Sequence, residues 1–561
     1  MEVTVIKNGK DIKIITDNKS FEPKDTDCIL IGNIYNLDEL GNFNKDISPE
    51  DKIIQLYKEY KSNLYYKLNG EYALIIIDNG EINLIRDRLG SKHIYYTNIN
   101  DTFICTTNLK NIINEFKEYL EIDKQVLANY LCYSYINEPL TIFKNVYKVS
   151  SGTIVKYSEK IDIEKYYDLV EEYKNNKNKI QKLEEAENIL EEELKKSIKL
   201  RIKDKEKVGV FFSAGIDSTL IASLLTEVKD NKIDTYTIGF YDKKRNEADK
   251  AKEIAKYLNT NHHEFYLDEN TTKNIVEQIS KIYTEPFADP SMIPAVFLYQ
   301  NLKDVDVILT GDGADQLFCG STVYDNFNIK KGLKNFLINI KKINIYKTKN
   351  IQLFKNIYNT KRYVTNMFLD IIPNTYNNIK IKHTKGQIKY MLFDIKTFLS
   401  NRLFTKVSVP ALFYNTNISY PFVDNNFIEA TLQTKHEFKY YKKQKKYVLR
   451  KILYKKIPRE LLTKKKSGFG IPLDKWLYTI LFDDIIKYSS KEALEKQGLF
   501  NPKKIEREIE KLKKRKLNEE ECTVMFSYYM FQKWYKENIK DMWTEDNKND
   551  KKSIIKTLVK I

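Results

Sequence analysis

The run Val208-Gly-Val-Phe-Phe-Ser213-Ala-Gly-Ile-Asp217-Ser218-Thr219-Leu220 constrains this chain more than any other stretch. An apolar β-type segment breaks into small residues, and a helix opening at Ser218 and Thr219 follows through Leu225. Ser213, Ala214 and Gly215 leave room for a phosphate to reach the backbone, and the free N–H groups and positive end of the helix favour an anion. Phe211, Ser213, Gly215 and Ser218 are therefore candidate nucleotide contacts in a pyrophosphate-binding loop. Asp217 repels phosphate directly; a carboxylate beside a polyphosphate ordinarily holds Mg²⁺. Taken alone, the motif is also compatible with an ordinary strand-to-helix turn.

A second segment, Val305-Asp-Val-Ile-Leu-Thr310-Gly311-Asp312-Gly-Ala-Asp315-Gln316, repeats the pattern of a strand ending in glycines and carboxylates. Two such strand ends can share one metal ion. Together the two loops resemble the synthetase half of the asparagine synthetase family, whose motifs run Ser-Gly-Gly-x-Asp-Ser and Ser-Gly-Asp/Glu-Gly-x-Asp-Glu. The resemblance continues between and beyond them. Thr235-Tyr-Thr-Ile238-Gly-Phe240 resembles the adenine-side strand, Asn246-Glu247 stands where an Asp-Glu pair is usual, and Glu285-Pro-Phe-Ala-Asp289-Pro-Ser-Met-Ile-Pro294 resembles the segment before the second loop. Lys464-Lys-Lys466-Ser-Gly468-Phe469 resembles the Arg-x-Lys-x-Gly-Phe segment that delivers a catalytic lysine.

The resemblance implies ATP-dependent amide formation through an acyl-adenylate, in which preorganised cations and N–H donors stabilise developing negative charge. On that basis Asp217 and Asp315 hold Mg²⁺, while Phe211, Ser213, Gly215, Ser218, Ile238, Thr310 and Gly311 contact ATP. Lys466 stabilises charge on phosphate and tetrahedral intermediate; its alternative is surface charge. Asp312 occupies the place of an acid that handles the incoming amine's proton, and its alternative is capping the turn.

In the first part of the chain, Ile31-Gly32-Asn33-Ile34-Tyr35-Asn36, Leu68-Asn-Gly70-Glu-Tyr-Ala73 and Arg86-Asp87-Arg88-Leu-Gly90 resemble the amino-terminal-nucleophile glutaminase domain of the same family. That domain uses a cysteine after the initiator methionine. Here position 2 is Glu2, and the nearest cysteine, Cys28, lies in an apolar run where a buried structural thiol is expected. A carboxylate does not replace a thiolate that must form and release an acyl intermediate. Ile31 stands at the oxyanion-hole asparagine, and the Arg-Gly-Pro-Asp element that grips glutamine has no counterpart. A glutaminase fold without glutaminase activity follows, with the amine taken from ammonia or from the substrate itself.

The expected fold is thus α/β plus α+β. Residues 1–170 form an αββα layered amidotransferase-type domain, and residues 180–561 a parallel-sheet ATP-binding domain with a mainly helical C-terminal part. Short alternating runs (Glu81 to Arg86, Thr102 to Thr106) read as strands, and Leu183 to Ile202 as an amphipathic helix. From about Tyr324 the pattern is mainly helical, and the charged tail from Thr544 is expected to fray. With 561 residues and 42% hydrophobic content, two substantial cores are within reach. No signal peptide or stretch of eighteen apolar residues is present, and five cysteines lie scattered without Cys-x-x-Cys spacing. A reducing cytoplasm is the expected setting.

The net charge of +17 points to a nucleic-acid or acidic-ligand surface, or to nothing more than solvated lysines. Lys330-Lys331, Lys341-Lys342 and Tyr440-Tyr-Lys442-Lys-Gln-Lys-Lys446-Tyr447 are assigned to solvated helix faces; the last has an alternative as a path for ATP phosphates or an acidic peptide. A tRNA-modifying enzyme would bring sulfur-relay or zinc cysteines, so a nucleic-acid partner is disfavoured. A non-catalytic scaffold would lack Asp217, Asp315 or Lys466.

Substrate identity is open at this level. Where the family carries Glu-x-Arg-x-Pro-Phe-Leu-Asp, this chain has Asn417-Ile-Ser419-Tyr-Pro421-Phe-Val-Asp424, so a structural ion pair is lost or a carboxylate-binding wall altered. Relatives with a decayed glutaminase domain include β-lactam synthetases and lasso-peptide macrolactam cyclases, which use an amine on the substrate. An acid at Asp312 points instead to ammonia. The resemblance leaves room for a homodimer or a leader-peptide-binding partner protein.

Overall fold

The computed structural model describes residues 2–539 apart from 17–18, 45, 243–245, 329–363, 365–385 and 463–470. Lys466, the two lysine pairs at 330–331 and 341–342, and the tail from Thr544 lie outside the described residues.

The amino-terminal half is built from two antiparallel sheets. One runs β3-β2-β1-β8-β7-β9, with β1 Val3–Asn8, β2 Asp11–Thr16, β3 Lys19–Phe21, β7 Tyr95–Ile99, β8 Thr102–Thr106 and β9 Val146–Lys148. The other runs β11-β10-β6-β5-β4, with β4 Thr26–Ile34, β5 Gly70–Asp78, β6 Glu81–Arg86, β10 Thr153–Tyr157 and β11 Ile161–Lys165. Successive side chains on a strand point to opposite faces, and β5 shows why both of its faces are apolar. Ala73, Ile75 and Ile77 pack with Val3, Val5 and Phe103 of the facing sheet. Tyr72, Leu74 and Ile76 pack with Ile53, Leu56 and Tyr57 of α1 (Pro49–Tyr60) on the other side. On the far side of the first sheet, Tyr95 and Ile104 join Leu109, Ile112 and Ile113 of α2 (Leu109–Phe116). The order of layers is helix, sheet, sheet, helix.

The second sheet system is parallel, ordered β14-β13-β12-β15-β16, with β12 Val208–Phe211, β13 Asp234–Phe240, β14 Asn261–Leu267, β15 Val307–Leu309 and β16 Ile418–Ser419. Chain order runs outward from β12 to β13 and β14 on one side and resumes at β15 and β16 on the other. The loops leaving β12 and β15 therefore splay apart at a topological switch point, where open α/β sheets bind ligands. Gly209 lets these strands pack: a Cβ there would stand 2.6 Å from Ile308 and 2.7 Å from Tyr236.

Helices cover this sheet. The long amphipathic α3 (Leu183–Ile202) appears over the expected span, with Leu190, Leu194 and Ile198 buried. The helix after the first loop, α4 (Ile216–Val228), is almost wholly buried. Also present are α5 (Met292–Asn301), α6 (Phe404–Phe413), α7 (Asn425–Gln433) and α8 (Tyr447–Tyr454). The last described helix, α9 (Glu519–Asn538), starts with a reciprocal capping box between Asn518 and Glu521 and buries Phe526, Phe531 and Trp534. It docks on the amino-terminal half, where Tyr130 donates to the Ser527 carbonyl at 3.0 Å and the Ser134 and Ser527 hydroxyls pair at 3.0 Å. One buried cluster accordingly runs through both halves. No described helix is long and apolar enough to cross a membrane.

One expectation fails here. The stretch from Tyr440 to Tyr447 is not a solvated helix face: Tyr440–Tyr441 and Gln444–Lys445 pair as a short hairpin, and α8 begins only at Tyr447. Lys439 and Lys446, at either end of that hairpin, are 1% and 4% exposed.

Candidate active site

The β12 and β15 loops touch at backbone distance. A Cβ on Gly311 would stand 2.8 Å from the Asp217 Cβ and 2.9 Å from the Ser218 nitrogen, so only glycine fits. Helix α4 starts at Ile216 with Gly215 as its N-cap, two residues earlier than the sequence suggests, which brings Asp217 into the first turn. The loop is tied by its own hydroxyls. Ser213 N–H donates to Ser218 Oγ at 3.1 Å, Gly215 N–H donates to Ser213 Oγ at 3.2 Å, and the Ser218 and Thr219 hydroxyls donate to the Ser213 carbonyl at 3.1 and 3.3 Å. Ser213, Gly215 and Ser218 thus form one small polar turn at the positive end of a buried helix, as an anion site requires.

Asp217 and Asp315 converge on a single cation. The Lys446 ammonium contacts Asp217 Oδ2 and lies 2.5 Å from Asp315 Oδ1. Its backbone is left-handed, with φ of 54°, and its N–H donates to the Phe318 carbonyl at 3.1 Å, which clamps it to the helical turn carrying Asp315. Gly320 makes the space, because a Cβ there would fall 1.8 Å from Asp315 Oδ1 and 2.2 Å from Lys446 Cε. Sequence reasoning named Lys446 only within a basic stretch whose alternative was a path for ATP phosphates, and did not single it out, because it sits among other lysines; the turn to apolar residues at Val448 and Leu449 is a signal that it is buried. Two carboxylates meeting at one cationic nitrogen form a hard-oxygen donor set that also fits Mg²⁺, with phosphate and water completing the shell. Among the described residues no group of three or more His, Cys, Asp or Glu is arranged to hold a metal by itself.

Asp312 is held rather than free to wander. Its N–H donates to Thr310 Oγ1 at 3.0 Å, the Thr310 hydroxyl donates back to Asp312 Oδ2 at 2.7 Å, and Lys406 Nζ lies 4.0 Å from Oδ1. Thr310, 3% exposed, orients Asp312 from beneath the loop. Beside it, Arg402 donates to Asp289 Oδ2 at 2.8 Å. Burial alone would raise the Asp289 carboxyl, but the charges of Arg402 and Lys406 outweigh it and hold the group well below the usual carboxylate range. Phe211, at the end of β12, meets Tyr299 edge-on at 5.3 Å, and Ile238 is buried on neighbouring β13. Lys148 and Glu285 make a buried ion pair of 2.6 Å behind the site.

At the amino-terminal domain, Glu2 accepts hydrogen bonds from the Asn108 and Asn111 side-chain amides at 2.9 and 2.7 Å. It lines a cavity of about 700 Å³ between the domains, together with Gly32, Lys92, Tyr283, Ser408 and Asn417. No described thiol lines that cavity. Cys28 is 5% exposed on the helix-covered face of its sheet, packed with Ile53 and Leu56, where burial and the charges of Glu50, Asp27 and Asp51 push its thiol well up. Burial, then the charges of Arg86, Lys148 and Lys92, hold the His93 ring well below its usual range.

The altered Asn417–Asp424 wall keeps a buried ion pair from other elements. Arg201 of α3 donates to Glu71 Oε1 at 3.0 and 2.8 Å and to Asp424 Oδ2 at 2.9 Å. Ser419 and the Tyr420 N–H donate to the two Glu71 oxygens at 2.9 and 3.2 Å. Asn417 accepts from the Asn33 amide at 2.9 Å.

Fold and site together define an amidotransferase-type layered domain joined to a parallel-sheet domain that carries a small polar loop between a strand end and a helix N-terminus. The Asparagine synthase family model matches residues 189–536, and the Glutamine amidotransferase domain model matches residues 20–167. The chain belongs to the asparagine synthase family, and is an ATP-dependent carbon–nitrogen ligase. It is 26% identical over 504 residues to Asparagine synthetase [glutamine-hydrolyzing] 1 of Bacillus subtilis (strain 168), covering 82% of this chain and 78% of the relative. It is 31% identical over 331 residues to Putative asparagine synthetase [glutamine-hydrolyzing] 2 of Methanocaldococcus jannaschii, covering 57% and 63%. Amidase chry2 of Gibberella zeae is 26% identical over 296 residues, covering 49% and 43%.

Proposed function

We propose that this chain adenylates a carboxylate with ATP and passes the acyl group to ammonia or to an amine on the substrate, without hydrolysing glutamine. The convergence of Asp217 and Asp315 on Lys446, directly beside the Ser213–Ser218 loop, is the observation that carries this reading. The loop N–H groups and hydroxyls receive the leaving pyrophosphate. Asp217 and Asp315 are the residues that would hold Mg²⁺, whose charge offsets that of the polyphosphate when it is bound. Lys446 neutralises the two carboxylates and offers an ammonium to phosphate that enters between them. Lys466, outside the described residues, is assigned the charge on the reacting phosphate and tetrahedral intermediate. Asp312, held by Thr310, takes the proton of the attacking amine.

Glu2 in place of the nucleophilic thiol, with its carboxylate held by two neutral amides, supports loss of glutaminase activity. The same observation and the altered Asn417–Asp424 wall favour a second reading, an intramolecular or peptide ligase of the macrolactam-cyclase or β-lactam-synthetase kind. The lack of a described spanning helix and of disulfides among the described cysteines agrees with a cytoplasmic setting.

The test is pyrophosphate release from ATP and Mg²⁺ with free aspartate and then with acidic peptides. Each assay is run with and without ammonia or glutamine, with Lys466→Ala and Asp217→Ala as controls. Release with aspartate that needs ammonia and ignores glutamine establishes an ammonia-using asparagine synthetase. Release only with an amine-bearing or peptide substrate establishes the second reading. Ammonia release from glutamine would overturn the proposed loss of glutaminase activity, and no pyrophosphate with any carboxylate would overturn the ligase reading.

A further inference from the structure

The cations around α8 divide into two sets. On the face toward α3 and α4, Lys455 pairs with Glu187 at 2.7 Å, and Lys456 bridges Glu191 and Glu227 at 2.7 and 2.6 Å. On the other face a cleft of about 620 Å³ is lined by Lys443, Lys445, Arg450, Lys451 and Arg459, with no carboxylate among its described lining residues. Of these five cations only Lys445 has an ion pair among the described residues, to Asp325 at 3.2 Å. Concentrated charge of one sign within a cleft focuses its field on an incoming anion.

The two tyrosines of the cleft fix cations in place. Arg459 lies over the Tyr454 ring at 4.5 Å and Lys451 over Tyr447 at 5.8 Å, while Tyr447 also meets Tyr441 at 5.0 Å. Arg450 donates to the Lys445 carbonyl at 2.9 Å. Single-stranded nucleic acid binds through free aromatic faces on which bases stack. Here those faces carry cations, whereas carboxylates need only the N–H donors, which Arg presents in pairs. Lys445, at the cleft, immediately precedes Lys446, which holds Asp217 and Asp315.

We propose that this cleft docks an acidic peptide segment, a run of Asp or Glu side chains flanking the carboxylate that the ligase activates. The proposal rests on the ligase reading and names its substrate class. Binding of labelled hexaglutamate to the full chain, followed by fluorescence anisotropy without ATP or Mg²⁺, tests it independently of turnover. Hexaglutamate is expected to bind and hexaglutamine not, with affinity lost between about 0.05 and about 0.5 M salt as screening shortens. Lys443→Glu with Lys451→Glu is expected to weaken binding about tenfold or more, as reversal of two charges lining the cleft implies, and Lys443→Gln with Lys451→Gln by less. Lys455→Gln, on the paired face, leaves it unchanged. Equal binding of hexaglutamine, indifference to charge reversal in a variant of unchanged circular dichroism, or displacement of hexaglutamate by ATP would overturn the proposal. Tighter binding of oligo-uridine would overturn it in favour of a nucleic-acid surface. Failed adenylation leaves this binding result standing, and adenylation of a small carboxylate without hexaglutamate binding sinks this proposal alone.

Discussion

At the residue scale, two charged side chains differ in how they are held. Asp312 is fixed by Thr310 and sits 4.0 Å from Lys406, and in the proposed reaction it is the proton acceptor for the attacking amine. Asp312→Asn keeps the shape and removes the base, so amide formation is expected to fall about 10² to 10⁴-fold while ATP–pyrophosphate exchange persists. Loss of exchange as well would assign Asp312 to the turn alone. Lys439 contrasts with it: 1% exposed, its ammonium finds only the Met391 sulfur among the described residues, at 4.0 Å. Burial lowers its pKa from 10.5 to about 8. Between those values the unfolded chain binds more protons than the folded one, so this group makes stability rise with pH from about 8 to 10.5 and costs most below 8. Lys439→Met is expected to raise the urea midpoint at pH 7 and to flatten that rise. A lower midpoint at pH 7 would give the ammonium a partner it is not seen to have. The burial of Lys439 and Lys446 was not legible in the sequence, where they flank the lysines at 442, 443 and 445 and look like part of the same run.

At the element scale, the β12–α4 and β15 loops act as one unit because Gly311 lets them touch. Gly311→Ala inserts a methyl 2.8 Å from Asp217 Cβ, so overpacking of about 1–3 kcal/mol and separation of the loops are expected. Activity should fall much further than the melting temperature, and an active, equally stable variant would show that the contact is slack. These elements were legible. An apolar run ending in small residues, followed by an amphipathic run, dictates strand, turn and helix, and β12, β13, β15 and α3 appear within two residues of where the sequence puts them. The hairpin at Tyr440–Lys445 and the two-residue β16 were not, because two residues carry no periodicity; the hairpin strands pair only with each other, and β16 is held by pairing with distant β15.

At the scale of the whole molecule, Arg201 joins the halves. Its guanidinium lies between Glu71 of β5 and Asp424 at the start of α7, with the Tyr35 ring 4.6 Å beneath it. Removing one member of such a buried network strands the others, at a cost of about 3–5 kcal/mol. Arg201→Met is therefore expected to lower the melting temperature and to split calorimetric unfolding into two transitions; a single unshifted transition would show that the domains hold together without it. By itself the sequence determined the family, the two-domain plan and the strand–turn–helix order that places Asp217 and Asp315 at neighbouring strand ends. Those properties reside in local order and residue type, which short-range sterics and hydrogen bonding translate directly into turns and helix ends. Only the tertiary structure decided that Lys446 sits between Asp217 and Asp315, that Arg201 and Glu71 supply the ion pair at the altered wall, and that five cations share one cleft. Each of those depends on residues far apart in the chain, brought together by burial that no local pattern records.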